Sequence, residues 1–243
     1  MTNRIQPLVA LRALRQLVRD PEDTSKVFEI IAAMAGNSNA ESAARFEQTL
    51  SGQRILAAKT SLLDSLRARD ALQAMSADSL GRAYLHFLES ENLSADGLVE
   101  ASQTMQASRL HAEVDQNQQH FNLRQRDQHD LWHVVTGYGR DIAGEASLLA
   151  FTYAQTRNRG LGVIALVGGL KLTKRYGWSI FKSLWQGYRL GKRAAWLPQQ
   201  EWETLLQLPL LQVRDLLNIG RPDTYFGLSS ASNDAFTERT LQP

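Results

Sequence analysis

The sequence predicts an all-α protein, a single-domain multi-helix bundle, and three observations carry that expectation. Apolar residues recur three and four positions apart through much of the chain, which is the period of one helix face. Sustained alternation of apolar and polar residues, the mark of a half-buried strand, is hard to find. With 243 residues, the chain can bury a substantial core without dividing.

Leu8, Leu11, Leu14 and Val18 predict the apolar stripe of a first helix. Asp20-Pro21-Glu22-Asp23-Thr24 interrupts it, with Asp23 or Thr24 placed to cap the next helix. Val27, Ile30, Ile31 and Met34 form the second stripe, ended by Gly36-Asn37-Ser38-Asn39. Helical spacing continues over Ala43–Leu50, Leu62–Leu72 and Ser79–Glu89. The residues from 228 to 243 are polar and unpatterned and read as a mobile tail after a helical domain spanning 1–227.

There is no cysteine, which excludes disulfides, thiolate ligands and a cysteine nucleophile, so any metal must be held by nitrogen and oxygen. The net charge is only +2, yet its distribution is uneven. No Asp or Glu occurs from Ala146 through Gln200, where Arg157, Arg159, Lys171, Lys174, Arg175, Lys182, Arg189, Lys192 and Arg193 all lie. One flank should be strongly positive. The N-terminal residues, with Arg4, Arg12, Arg15 and Arg19 among leucines, lack the apolar core of a secretory signal and read as a helix of the folded protein. Leu161–Leu170 is well short of the roughly 20 apolar residues that cross a bilayer, so no transmembrane span is expected.

Projected as one helix, Leu170–Trp196 places Lys171, Arg175, Lys182, Arg189 and Arg193 on one side, with Trp178, Trp185 and Trp196 beside them. That arrangement suits a surface resting at the headgroups of an anionic membrane. It also suits core aromatics with a solvated cationic edge. Gly187 and Gly191 could permit close helix packing.

The chemistry concentrates at His129-Asp130-Leu131-Trp132-His133, followed by Gly137 and Gly144-Glu145. One helical turn separates His129 from His133, so both imidazoles share a face and can converge on one divalent ion. Asp130 stands about 100° round the helix from His129 and can flank the site or orient a ligand. Glu145 can join only if the chain turns back, and Gly137, Gly139 and Gly144 offer places to turn. The prediction is helix, break, helix, with ligands from both sides, and with His133 lost from a site and not from a packed core on substitution. Imidazole and carboxylate suit zinc, iron, manganese or cobalt.

Other signals are weaker. The His129-Asp130 doublet fits metal phosphohydrolases only with a further His (His111 or His120) and Asp (Asp215 or Asp223), and leaves His133 and Glu145 unexplained. A di-iron bundle wants two Glu-x-x-His pairs, whereas only Asp130-x-x-His133 is present. Gly160-Leu161-Gly162-Val163-Ile164-Ala165 matches a loose dinucleotide fingerprint, but no strand precedes it and no acidic residue follows about twenty positions on. No nucleic-acid-binding motif accompanies the basic run, so no nucleic-acid partner is expected.

The spacing His-Asp-x-x-His-x3-Gly-x6-Gly-Glu resembles the signature of the fourth coenzyme Q biosynthesis protein family, in its bacterial-type form, and every fixed position is filled. Leu80-Gly81-Arg82-Ala83-Tyr84 with Phe87, Trp202-Glu203, Val213-Arg214 and Leu217-Asn218-Ile219 resemble the family's flanking segments, in its order. Gln128 departs from the pattern, where a hydrophobic or basic residue is common, and leaves the ligands untouched. The resemblance covers roughly residues 8–220. It implies a metal-dependent enzyme of ubiquinone assembly that removes the C1 carboxyl of a polyprenylated hydroxybenzoate and installs a hydroxyl, with His129, Asp130, His133 and Glu145 as catalytic metal ligands. It implies as partners a prenylated benzoate or quinone intermediate, a membrane surface, other quinone-biosynthesis enzymes and a second copy of the chain. The location expected in a bacterial host is cytoplasmic, peripheral on the inner face of the cytoplasmic membrane. The alternative it leaves is a non-catalytic prenyl-lipid-binding organiser of a quinone-biosynthetic complex.

Overall fold

The structure, a computed structural model, describes residues 4–19, 24–95 and 115–228, and among them the all-α expectation is met. The helices are α1 (Pro7–Arg19), α2 (Thr24–Ala35), α3 (Ser38–Gln48), α4 (Leu50–Ala58), α5 (Leu62–Arg67), α6 (Arg69–Gln73), α7 (Leu80–Ser90), α8 (Gln116–Asp127), α9 (His129–Thr136), α10 (Ile142–Thr156), α11 (Arg159–Tyr176), α12 (Ser179–Arg193), α13 (Trp202–Leu205), α14 (Leu210–Leu216) and α15 (Asp223–Leu228). The only extended pairing among the described residues is a bridge between Ser79 and Pro209. The cap expected at Asp23 lies outside the described residues, as does the tail expected over 228–243 except for Leu228, which ends α15. None of the described helices is long and apolar enough to cross a membrane.

The chain divides into two compact units. Of the described residues, one comprises 4–19, 24–42, 138–193 and 222–228, the other 43–95, 115–137 and 194–221.

In the first unit, α1 buries Ala10 and Ala13 with Leu14 and Leu17 against Ile30 and Ala33 of α2 and Val163 and Ile164 of α11. The predicted α1 stripe is corrected here, because Leu8 is 80% exposed and Leu11 is exposed as well. The small alanines let the helices approach closely and form the contact face with Leu14 and Leu17 at its edge, while Leu8 and Leu11 turn outward. Helix α12 lies close along α10. A Cβ on Gly187 would sit 2.5 Å from the Ser147 carbonyl oxygen, and one on Gly191 would sit 2.6 Å from that of Phe151. Ser147 and Ser183 hydroxyls meet at 2.8 Å, and the Gln155 amide donates to the Gly191 carbonyl at 2.6 Å. The close packing expected of these glycines is therefore present. Gly160 packs on the Ile31 backbone inside the helical run of α11, which accounts for a small residue there without a nucleotide loop.

The continuous helix projected over Leu170–Trp196 is corrected. Gly177 adopts φ +59°, which a Cβ disfavours, and ends α11 there. Trp178 remains exposed, whereas Trp196 follows α12 and is buried in the second unit, beneath the Arg45 guanidinium at 4.0 Å and among Ala43, Phe46, Ile55 and Phe121.

In the second unit, α5 and α6 replace the single helix expected over Leu62–Leu72, with a break at Ala68. Leu62 and Leu66 share a face at i, i+4, but Leu72 would fall off it on one helix. The break brings all three into the core. Ser61 and Ser79 cap α5 and α7 by accepting from the Asp64 and Arg82 amides. The start of α7 is fastened by the Leu80 and Gly81 amides, which donate to the Leu208 and Leu206 carbonyls at 2.8 Å.

Candidate metal centre

The predicted helix, break, helix is observed as α9, Gly137–Asp141 and α10. Helix α9 follows α8 across Gln128 and is buried from Asp130 to Thr136. A helix this buried must have its end groups satisfied from elsewhere. At its C-terminal end Arg214 donates to the carbonyls of Val135 at 2.9 Å and Val134 at 3.1 Å. Burial brings the Arg214 guanidinium down to about 10, still far above neutral pH. Gly137, at φ +79°, closes the last turn by donating to the His133 carbonyl.

At the other end, Gln128 is fully buried and its amide oxygen accepts from the Trp202 indole N–H at 2.6 Å. One turn back on α8, Arg124 grips Glu203 through two parallel bonds of 2.7 Å and donates to the Gln200 carbonyl at 2.9 Å. Burial raises the Glu203 carboxyl, but the Arg124 hydrogen bond and charge outweigh it, and the carboxyl is held below its ordinary value. His120 is lowered by burial and then by the Arg124 charge. Sequence reasoning picked out Trp202, Glu203 and Arg214 as weak flanking motifs without a role. It did not find Arg124, whose partner lies 79 residues away.

The His129 and His133 rings stand 5.0 Å apart, centre to centre, on one face of α9, as their spacing predicts. The Asp130 carboxylate lies 3.3 Å from Nδ1 of His129. A proton shared there directs the lone pair of Nε2 outward, which is how a carboxylate orients an imidazole ligand. His129 is partly exposed, while His133 is 1% exposed and stacks on Phe87 with 5.6 Å between ring centres. The expectation that His133 stands apart from the packed core is corrected, because its ring fills space between α7 and α9.

Glu145 lies in the first turn of α10, which Asp141 caps by accepting from the Ala143 and Gly144 amides. The Arg140 guanidinium is 3.8 Å from the Glu145 carboxylate. His129 and His133, on α9 of the second unit, and Glu145, on α10 of the first, each offer an atom that can ligate a metal ion. Asp130 stands on His129. Two imidazoles and a carboxylate, with a second carboxylate behind one imidazole, fit a borderline divalent cation such as zinc, iron, cobalt or manganese. Of the other residues nominated for a metal, His111 lies outside the described residues. His120 faces Arg124 and Glu203, and Asp215 and Asp223 are exposed, so these do not complete a phosphohydrolase set.

Comparison with known proteins identifies relatives of the chain. A ubiquinone biosynthesis protein COQ4, mitochondrial, of Podospora anserina is 27% identical over 173 residues, which is 70% of this chain and 54% of the relative. Its counterpart in Yarrowia lipolytica is 26% identical over 173 residues, 70% of this chain and 62% of the relative. The chain thus spans a little over half the length of these curated relatives. A crystal structure from Nostoc punctiforme, of a protein provisionally assigned to ubiquinone biosynthesis, matches with a TM-score of 0.64 at 18% identity, over 89% of this chain and all of that one. That likeness shows a shared fold. The family profile described as coenzyme Q (ubiquinone) biosynthesis protein Coq4 matches residues 4–223, and the chain belongs to that family.

Proposed function

We propose that this protein is the metal-dependent enzyme that replaces the C1 carboxyl of a polyprenylated hydroxybenzoate with a hydroxyl in ubiquinone biosynthesis, the carboxyl leaving as carbon dioxide, the hydroxyl oxygen coming from dioxygen and the second oxygen atom leaving as water with two electrons from an external reductant. The observation that carries the reading is the His129 and His133 pair one turn apart on the buried α9, followed by Gly144-Glu145, in a chain that belongs to this family. A divalent cation bound there would act as a Lewis acid, polarising the substrate carboxylate or a ring oxygen. The chain's own residues set the conditions for that. Asp130 fixes the His129 ring by its Nδ1 edge, and Phe87 holds the His133 ring by stacking. Burial of α9 keeps water from the His133 side and strengthens electrostatic contacts made there. Arg140 offsets the charge of Glu145.

The test is mass-spectrometric analysis of quinone intermediates in cells lacking the protein. C1-carboxylated intermediates should accumulate and be cleared by the wild type but not by a His129→Ala chain. Clearance by both chains would favour the alternative, a prenyl-lipid-binding organiser that turns nothing over. Other enzymes of the pathway and a second copy of this chain are the partners either role would use.

The first unit supports a second component of the proposal, peripheral attachment to an anionic membrane, on the inner face of the cytoplasmic membrane in a bacterial host. Trp178 and Trp185 are 74% and 61% exposed, and Lys182, Arg189, Lys192 and Arg193 are exposed on α12 with no acidic residue on that helix. A groove of about 360 Å³ there is lined by Lys182, Trp185, Arg189, Leu190 and Arg193, together with Gln186 and Thr224. Indole rings favour the headgroup region, and each cation adds about 1 kcal/mol near an anionic surface. Co-sedimentation with anionic vesicles should weaken from 0.1 M to 1 M salt as the Debye length falls from about 10 Å to about 3 Å. Lys182→Glu with Arg189→Glu should weaken it further, and Trp185→Ala should also reduce binding to neutral vesicles. Unchanged co-sedimentation in every variant would remove membrane attachment from the proposal.

A further inference from the structure

Five residues, Gly137–Asp141, carry the chain from α9 to α10, and a side chain more than eighty positions away holds most of them. The Tyr225 hydroxyl on α15 donates to one carboxylate oxygen of Asp141 and accepts from the Gly139 amide at 3.0 Å. The other Asp141 oxygen accepts from the Ala143 amide at 3.0 Å and the Gly144 amide at 3.2 Å. The Asp141 carbonyl accepts from the Glu145 amide at 2.9 Å. Asp141 therefore links the phenol, through its carboxylate, to the Ala143 and Gly144 amides and, through its carbonyl, to the amide of Glu145. Tyr225 itself is 2% exposed and meets the Tyr138 ring at 5.4 Å, and α15 is fastened by the Thr224 amide donating to Gln186 at 2.8 Å. The turn has no room for side chains: a Cβ on Gly139 would lie 2.6 Å from the Tyr225 oxygen, and one on Gly144 would strike the Gly139 carbonyl.

We propose that Tyr225 is a positioning residue for Glu145, clamping the turn from which α10 starts and so setting where the carboxylate stands. Unrestrained helix N-termini fray, and their first-turn amides need acceptors. Here the acceptor, Asp141, is itself held by the phenol. Tyr225 lies beyond residues 4–223, over which the family profile matches. The consequence for metal binding rests on the ligand set proposed above.

The test is Tyr225→Phe in the full chain, which keeps the ring and removes the hydroxyl. Amide hydrogen exchange is expected to quicken at Gly139, Ala143 and Gly144 while far-UV circular dichroism stays unchanged. Zinc affinity, measured by competition with a chromogenic chelator, should fall about 10-fold, the scale of losing an outer-shell partner. In a Glu145→Gln background, Tyr225→Phe should cost no further affinity, because its effect passes through that residue. Unaltered exchange at the turn, or an equal further loss of zinc without Glu145, would overturn the proposal. A wild-type chain that binds no zinc or other divalent metal would overturn the metal reading instead, and the exchange rates at Ala143 and Gly144 would then decide the clamp by themselves.

Discussion

Replacing His129 by alanine is expected to weaken metal binding by more than about 100-fold, beyond the loss typical of an outer-shell partner, while leaving the helical content unchanged. Its side chain is 40% exposed, so little packing is lost with the imidazole. His133→Ala should abolish binding as well, but at a cost in stability of about 2–4 kcal/mol, because the removed ring is buried against Phe87 and leaves a cavity. Elemental analysis after dialysis, paired with thermal denaturation, separates the two. Wild-type metal content in the His129 variant would sink the site assignment. Wild-type stability in the His133 variant would contradict its place in the core.

The largest effect on stability is expected from Glu203→Gln. Arg124 is 2% exposed, and both arms of its guanidinium fork rest on the Glu203 carboxylate. Removing that charge leaves a buried cation with the Gln200 carbonyl and a neutral amide, a change that typically costs about 3–5 kcal/mol. For a chain of this size the midpoint should drop by roughly 10 °C. The pH dependence has a definite sign. The folded Glu203 carboxyl lies below its ordinary value near 4.5, so its contribution is fully present above that value and is lost as pH falls through the depressed one. The gap between wild type and variant should therefore close on acidification. A gap that stays constant into that range would show that the ion pair is not its source.

How far the sequence could be read depended on the reach of each interaction. The His129 and His133 spacing, the break at Gly137 and the restart of a helix before Glu145 are all encoded within 17 residues, and each came out as the periodicity and the glycines suggest. The caps at Ser61 and Ser79 are equally local, although the sequence reading placed Ser79 inside a helix and did not single out Ser61. Faces decided by packing were less legible. Helix α1 could bury leucines or alanines, and only the approach of α2 selects Ala10 and Ala13. Projection from Lys171 to Trp196 presumes an unbroken helix, which the backbone at Gly177 denies, and so misplaces Trp196. Gln128 stood out only as a departure from a pattern. Its partner, Trp202, is 74 residues away, and no local signal connects the two.

Those long separations also bear on when the site forms. Arg214 reaches Val134 and Val135, Glu203 reaches Arg124, Trp202 reaches Gln128, and Tyr225 reaches Gly139. On a growing polypeptide the histidine pair is made long before any of these partners exists. Loop closure of that length is entropically costly and slow compared with helix formation. The ends of α9 must therefore wait for Trp202 and Arg214, and the turn before α10 must wait for Tyr225. A chain truncated shortly before residue 225 would contain every proposed ligand and still lack the clamp on the turn that carries Glu145.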